Sequence, residues 1–93
     1  MIAFELGEKK HIYVDIFSKK NEAFEISKAD YELIKRTEKE AEDSGECILT
    51  DHTLDMLISP KNVGDYILRI IYYIADEILI ENIQIQVSRY GKN

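Results

Sequence analysis

The sequence predicts an all-β fold, a β-sandwich of about seven antiparallel strands, and three observations predict it. Two long apolar runs flank a charged pair between Gly64 and Ser88. Shorter segments upstream alternate apolar and polar residues with a period of two. Turn-forming residues separate these segments at Gly7, 19–22, Ser44-Gly45, Asp51-His52 and 60–64. Short strands with frequent turns are the pattern of sandwiches and barrels.

The elements follow in order. "IAFEL" from Ile2 reads as a short strand ending at Gly7, and "HIYVDIFS" from His11 to Ser18 puts Ile12, Val14 and Ile16 on one face. "GECILTD" from Gly45 puts Cys47 and Leu49 on one face. "TLDMLIS" from Thr53 does the same for Leu54, Met56 and Ile58, and Pro60 stops it. In "GDYILRIIYYIADEILIENIQIQVS", Tyr66, Leu68, Ile70, Tyr72 and Ile74 share one face. Ile67, Ile71, Tyr73 and Ala75 share the other, as in a central strand buried on both sides. Ile and Tyr dominate this run, and both favour pleated surfaces over helix. Ile83, Ile85 and Val87 then alternate with Asn82, Gln84 and Gln86, the pattern of a half-buried strand with a solvated side. The pair Asp76-Glu77 lies where the hairpin turn is expected; without Asn-Gly or Asp-Gly the turn type stays open.

One segment supports two readings. "SKADYELIKRTEKEAEDSG" from Ser27 is rich in helix formers, with Ser27 as a candidate cap and Gly45 as a candidate stop. A helix at 28–43 on a sheet would make the fold α+β. Yet after Ile34 only Ala41 is apolar, so that helix would bury little. As a strand, the segment turns Ala29, Tyr31 and Leu33 inward and Asp30 and Glu32 outward, followed by a charged turn.

Composition bounds the function. Ninety-three residues make one domain, 1–93, and such a chain buries roughly 60–65% of the surface its unfolded form exposes. The single cysteine, Cys47, excludes an intrachain disulfide. No signal-peptide pattern and no uncharged apolar run of membrane-spanning length occurs, so a cytoplasmic chain without a membrane role is expected. Eighteen acidic residues outnumber twelve basic ones for a net charge of −6, which argues against a nucleic-acid partner. The nearest approach to a basic patch is Lys9-Lys10 with Lys19-Lys20.

No catalytic, cofactor-binding or metal-ligating residue is assigned, and neither a cofactor nor a small-molecule substrate is expected. Cys47 sits on a core face and reads as a buried thiol, not as a nucleophile. "TDHTLD", Thr50 to Asp55, gathers two carboxylates and a histidine without metal-ligand spacing, so Asp51-His52 reads as a hairpin turn. The acidic run 38–43 lacks the glycine and spaced ligands of a calcium loop and reads as solvated surface. There is neither a phosphate-binding loop nor a nucleophile elbow.

"NVGDYIL", Asn62 to Leu68, is the most informative short motif. In immunoglobulin-like sandwiches a tyrosine near the start of the penultimate strand bonds back to upstream backbone, two residues before a core position. Tyr66 and Leu68 fit those places, and Gly64 allows the tight corner. The same residues also fit a glycine that merely ends a loop before a tyrosine opens a strand; the corner reading expects an immunoglobulin-like antiparallel sandwich, with the Tyr66 hydroxyl reaching backbone upstream of Gly64.

From Phe24 to Val87 the chain resembles small immunoglobulin-like domains of phage and prophage structural proteins, including the N-terminal domain of phage baseplate upper proteins. Ala29, Tyr31 and Leu33 match an "A-x-Y-x-L"-like strand, and Ser44, Gly45 and Leu49 a strand after a charged turn. A strand ending in proline follows, then Gly64, Tyr66, Leu68 and the closing hairpin "YYIADEILI". The resemblance covers about two-thirds of the chain, and it favours the strand reading of 28–43. It implies a non-enzymatic structural or protein-interaction domain, a virion or tail-baseplate accessory component. Such a domain has protein partners, self-associates in a symmetric assembly, and moves from cytoplasm to virion. The alternative is a small acidic α/β regulatory or antitoxin-like binding protein, with the segment from Ser27 as its helix.

Overall fold

The computed structural model describes residues 1–18 and 22–89. The described residues form eight strands and no helix: β1 (Ile2–Glu5), β2 (Lys10–Asp15), β3 (Ile26–Lys35), β4 (Asp43–Glu46), β5 (Ile48–Thr50), β6 (Thr53–Ile58), β7 (Gly64–Ile74) and β8 (Glu77–Ser88). Five make one sheet in the order β1-β8-β7-β3-β4, and three make a second in the order β2-β6-β5. All neighbours are antiparallel except β1 and β8, which run parallel and depart from the antiparallel expectation. The turn expected at 19–22 and the lysines Lys19 and Lys20 fall largely outside the described residues, which resume at Glu22.

Alternation builds one core between the sheets. Leu33, Leu68, Ile70 and Ile85 of the large sheet share a buried cluster with Ile12, Leu54, Met56 and Ile58 of the small one. Ile16 is buried too, although β2 ends at Asp15, short of the expected Ser18. Its N–H still bonds the His52 carbonyl at 2.9 Å, in register with the β2–β6 ladder. β7 is central, between β8 and β3, and buries Tyr66, Leu68, Ile70 and Tyr72. Its other face, expected to be buried as well, is only half-buried at Ile67, Ile71 and Tyr73, because the small sheet covers a single side.

The helix weighed for 28–43 does not form, and the α/β alternative loses its helix with it. β3 pairs with β7 along Ile26–Lys35 and with β4 along Asp30–Leu33. Ladders on both sides outweigh the helix propensity of Glu and Lys, which is a weak preference that tertiary context overrides. Ala29 and Leu33 are buried and Tyr31 half-buried, as the strand reading expects. Ser27 caps nothing; its hydroxyl donates to the Tyr73 carbonyl at 3.3 Å. Gly45 stops no helix and lies in β4 under Tyr31, where a Cβ would meet the ring at 3.2 Å.

Two further expectations change. The segment from Gly45, read as one strand, is shared between the sheets, so eight strands form instead of about seven. The Cys47 N–H still bonds the Ala29 carbonyl in the large sheet at 2.8 Å, whereas Ile48 pairs with Asp55 in the small one. The hairpin turn is Ala75-Asp76, one residue earlier than Asp76-Glu77, since Glu77 already pairs with Ile74. Ala75 holds φ at 53°, in the left-handed region.

β7 and β8 have 11 and 12 residues, about 40 Å of strand. They account for much of the 46 Å long axis, against 24 and 20 Å across it. The small sheet, with strands of at most 6 residues, is too short to follow them to the tip. That mismatch shapes the surface described next.

Candidate interaction surface

The residues of chemical interest are held apart. Cys47 is buried, and burial, with Asp30 and Asp55 nearby, pushes its thiol up to about 11, so it stays protonated at neutral pH. Asp51 and His52 form the β5–β6 turn, with Asp51 at φ 54°. The His52 ring stacks on Phe24 with centroids 3.9 Å apart, and its Nε2–H donates to the Phe24 carbonyl at 2.8 Å. Asp55 instead meets His11 Nδ1 at 2.8 Å on the outer side of the small sheet. His52 and Asp55 of "TDHTLD" thus have separate partners, and Asp51 is a turn residue. No group of three or more His, Cys, Asp or Glu side chains placed to hold a metal ion occurs among the described residues. Lys10 is tied to Glu8 at 3.3 Å and to the Ala3 carbonyl at 2.9 Å. No helix among the described residues is long and apolar enough to cross a membrane.

Tyr66 behaves as the corner motif expects. It is fully buried, and its hydroxyl accepts from the Asn62 N–H at 3.2 Å, on backbone upstream of Gly64. Gly64 takes φ +125°, which only glycine adopts without strain. The same hydroxyl donates to Glu42 Oε1 at 2.6 Å, a partner sequence reasoning missed. Glu42 also accepts from the Lys61 N–H at 2.9 Å and from Asn62 Nδ2 at 3.2 Å. Burial pushes the Glu42 carboxyl up, but these hydrogen bonds, Tyr66 first, and the Lys61 charge outweigh it and hold the carboxyl below its ordinary value. Burial and the Glu42 bond in turn raise the Tyr66 phenol. This is a structural clamp joining the loop after β3 to the start of β7. Of the acidic run 38–43, Glu42 is the member spent on structure; 38–41 and Asp43 are exposed, as expected.

What remains is surface. On the outer face of the large sheet, Ile71 lies beside Ile80 and Tyr73 beside Ile78 across the β7–β8 ladder. Ile78 and Ile80 are 62% and 57% exposed. These four side chains form an apolar patch at the hairpin tip. β1 reaches β8 only at Ile85–Ser88, so Glu77 to Gln84 have β7 on one side and no described strand on the other. Beneath the tip, Ile16, Phe17, Phe24, Tyr72, Ile74 and Leu79 line a cavity of about 370 Å³.

No family model matches the chain, and neither a curated protein nor a solved structure matches it.

Proposed function

We propose that this chain is a non-enzymatic protein-interaction domain of immunoglobulin-like topology, serving as a structural or accessory component of a phage or prophage virion or tail baseplate. The observation that carries the interaction role is the hairpin tip, where an apolar patch adjoins a strand edge that no second described strand pairs. Natural sheets blunt or cover such edges, and an uncovered one is a template for pairing. The topology reading draws support from strand order. Lettered in chain order with β1 as A and β4 as C′, β2, β6 and β5 correspond to strands B, E and D of an immunoglobulin-type sandwich, and β8, β7 and β3 to G, F and C. The Tyr66 corner adds local support. The virion assignment rests on the resemblance from Phe24 to Val87. In cells releasing phage particles, the chain should co-sediment with intact particles through a density gradient. Its absence from the particle fraction would remove the virion role.

A further inference from the structure

Sheet edges in this molecule are not equally protected. β1 and β4 have 4 residues each and β5 has 3, too short to template a long ladder. β2 has 6, with Lys10 and Asp15 at its ends. The stretch of β8 that no second described strand pairs, "EILIENIQ" from Glu77 to Gln84, is longer than any of these and carries no Lys, Pro or bulge; Glu77 and Glu81 are its only charges.

Its backbone polarity follows from one hydrogen bond. The Leu6 N–H donates to the Ser88 carbonyl at 2.8 Å, so residue 88 directs its backbone toward the β1 side. Within a regular strand every second residue points the same way. The β7–β8 register is unbroken, so Ile78, Ile80, Asn82 and Gln84 direct their N–H and C=O groups to the edge that β1 leaves open. Odd-numbered residues bond to β7.

We infer that the Glu77–Gln84 edge of β8 pairs antiparallel with the same edge of a second copy of this chain, about a two-fold axis at Ile80. Charge disfavours the odd-numbered axes, β1 blocks an axis at Asn82, which would lay the second copy's Glu77–Leu79 along Ile85–Val87, and an axis at Ile78 leaves fewer pairs. An axis at Glu81 would set that carboxylate against its copy, and an axis at Leu79 would oppose Glu77 to Glu81 twice. Like charges directly opposite destabilise a ladder. With the axis at Ile80, Glu81 faces Leu79 of the second copy and Glu77 faces its Ile83, while Ile80 meets Ile80 and Ile78 meets Asn82. Pairs 80–80, 78–82 and 82–78 exchange about six backbone hydrogen bonds. The apolar outer patch of one copy then continues into that of the other. The interface is small, so the dimer is weak, with a dissociation constant of about 10–100 μM.

The inference rests on the interaction role proposed above and names its first partner. Sedimentation equilibrium should be run up to about 1 mM chain, with moderate salt to screen repulsion between two chains of net charge −6. The wild-type mass should rise from 10.8 kDa toward twice that value. Asn82→Pro removes an edge N–H that bonds nothing in β7, and Pro is tolerated at such positions. Ile80→Lys places two cations on the axis and changes a side chain that is already 57% exposed. Each should weaken dimerisation at least about tenfold, with the circular dichroism of the fold retained. A mass of 10.8 kDa at every concentration overturns the inference. So does a dimer whose affinity neither variant changes. A monomer that still co-sediments with particles sinks the self-pairing and leaves the interaction role standing; a dimer missing from particles does the reverse for the virion role.

Discussion

The two halves of β8 follow one alternation and reverse its content. Toward the C-terminus, Ile83, Ile85 and Val87 face the core while Asn82, Gln84 and Gln86 face solvent, and Ile85 and Val87 are buried. Toward the turn, Glu77 and Glu81 take inward positions beside Leu79, and Ile78 and Ile80 take outward ones. Outward residues are exposed in both halves, so folding alone does not explain amides in one and isoleucines in the other. What separates the halves is company: β1 pairs with the first, and no described strand other than β7 pairs with the second. A soluble fold usually keeps exposed apolar residues from clustering on an open edge, and clusters of this kind mark contact sites. The C-terminal half fills the core with Ile85 and Val87, whereas the tip half gives the core only Leu79 and leaves Ile78 and Ile80 exposed.

The contrast breaks most directly under alanine. Ile85→Ala removes a side chain that is 1% exposed and should cost about 3 kcal/mol of unfolding free energy. Ile80→Ala should cost under about 0.5 kcal/mol. Urea denaturation of both variants at dilute chain concentration checks this, and comparable losses would mean that the tip half is part of the core.

Tyr66 pairs with Ile85 in the β7–β8 register and anchors the completed half. Tyr66→Phe strips a donor from Glu42 and an acceptor from the Asn62 N–H, and should cost about 1–2 kcal/mol at neutral pH. The cost should depend on pH. Because the folded Glu42 carboxyl is held below its ordinary value, its contribution is complete above the unfolded pKa and fades as pH falls through the lower, folded one. Wild type and Tyr66→Phe should therefore converge in acid. A gap that stays constant from neutral pH into the acid range would show that Glu42 is not the partner that matters.

Much of this arrangement is legible in the residues, for identifiable reasons. Ile12, Leu54, Met56, Ile58 and the odd positions 83–87 announce their faces because a strand with one covered side must alternate. Tyr66 is legible because a tyrosine after Gly-Asp at a strand start has a known backbone use. Glu42 is not legible: it is one carboxylate in an acidic run, and only the fold brings it under Tyr66, 24 positions along the chain. The split at Cys47 is equally silent, since a strand that changes sheets keeps the same local pattern. β3 reads ambiguously because its outward charges, Lys28, Asp30 and Glu32, are as acceptable on a helix as on a strand. Arg69 answers Glu32 at 3.7 Å across the ladder, a pairing no local window contains. Ile71 and Tyr73 of the tip patch read as one face of a doubly apolar strand, but alternation cannot tell a face covered by another layer from one left open.

The turn joining the halves offers the finest test. Charge at Asp76-Glu77 drew the expected turn one residue too far, whereas the backbone places Ala75 at φ 53° with no glycine to favour it. An L-residue in that region carries roughly 1–2 kcal/mol of strain. Glycine relieves it but adds freedom to the unfolded chain, worth roughly 0.5–1 kcal/mol in the opposite direction. Ala75→Gly should thus stabilise the fold by up to about 1 kcal/mol, read as a higher urea midpoint with an unchanged slope. The same change at Asp51, φ 54°, should gain less, because Asp tolerates the left-handed region better than Ala. Amide exchange locates the effect. If the tip half is held only by β7, protection of the amides that bond across the ladder at Leu79 and Glu81 should rise in Ala75→Gly at least as much as that of Ile85. A rise confined to Ile85 would place the tip in the same cooperative unit as the core and dissolve the distinction between the halves.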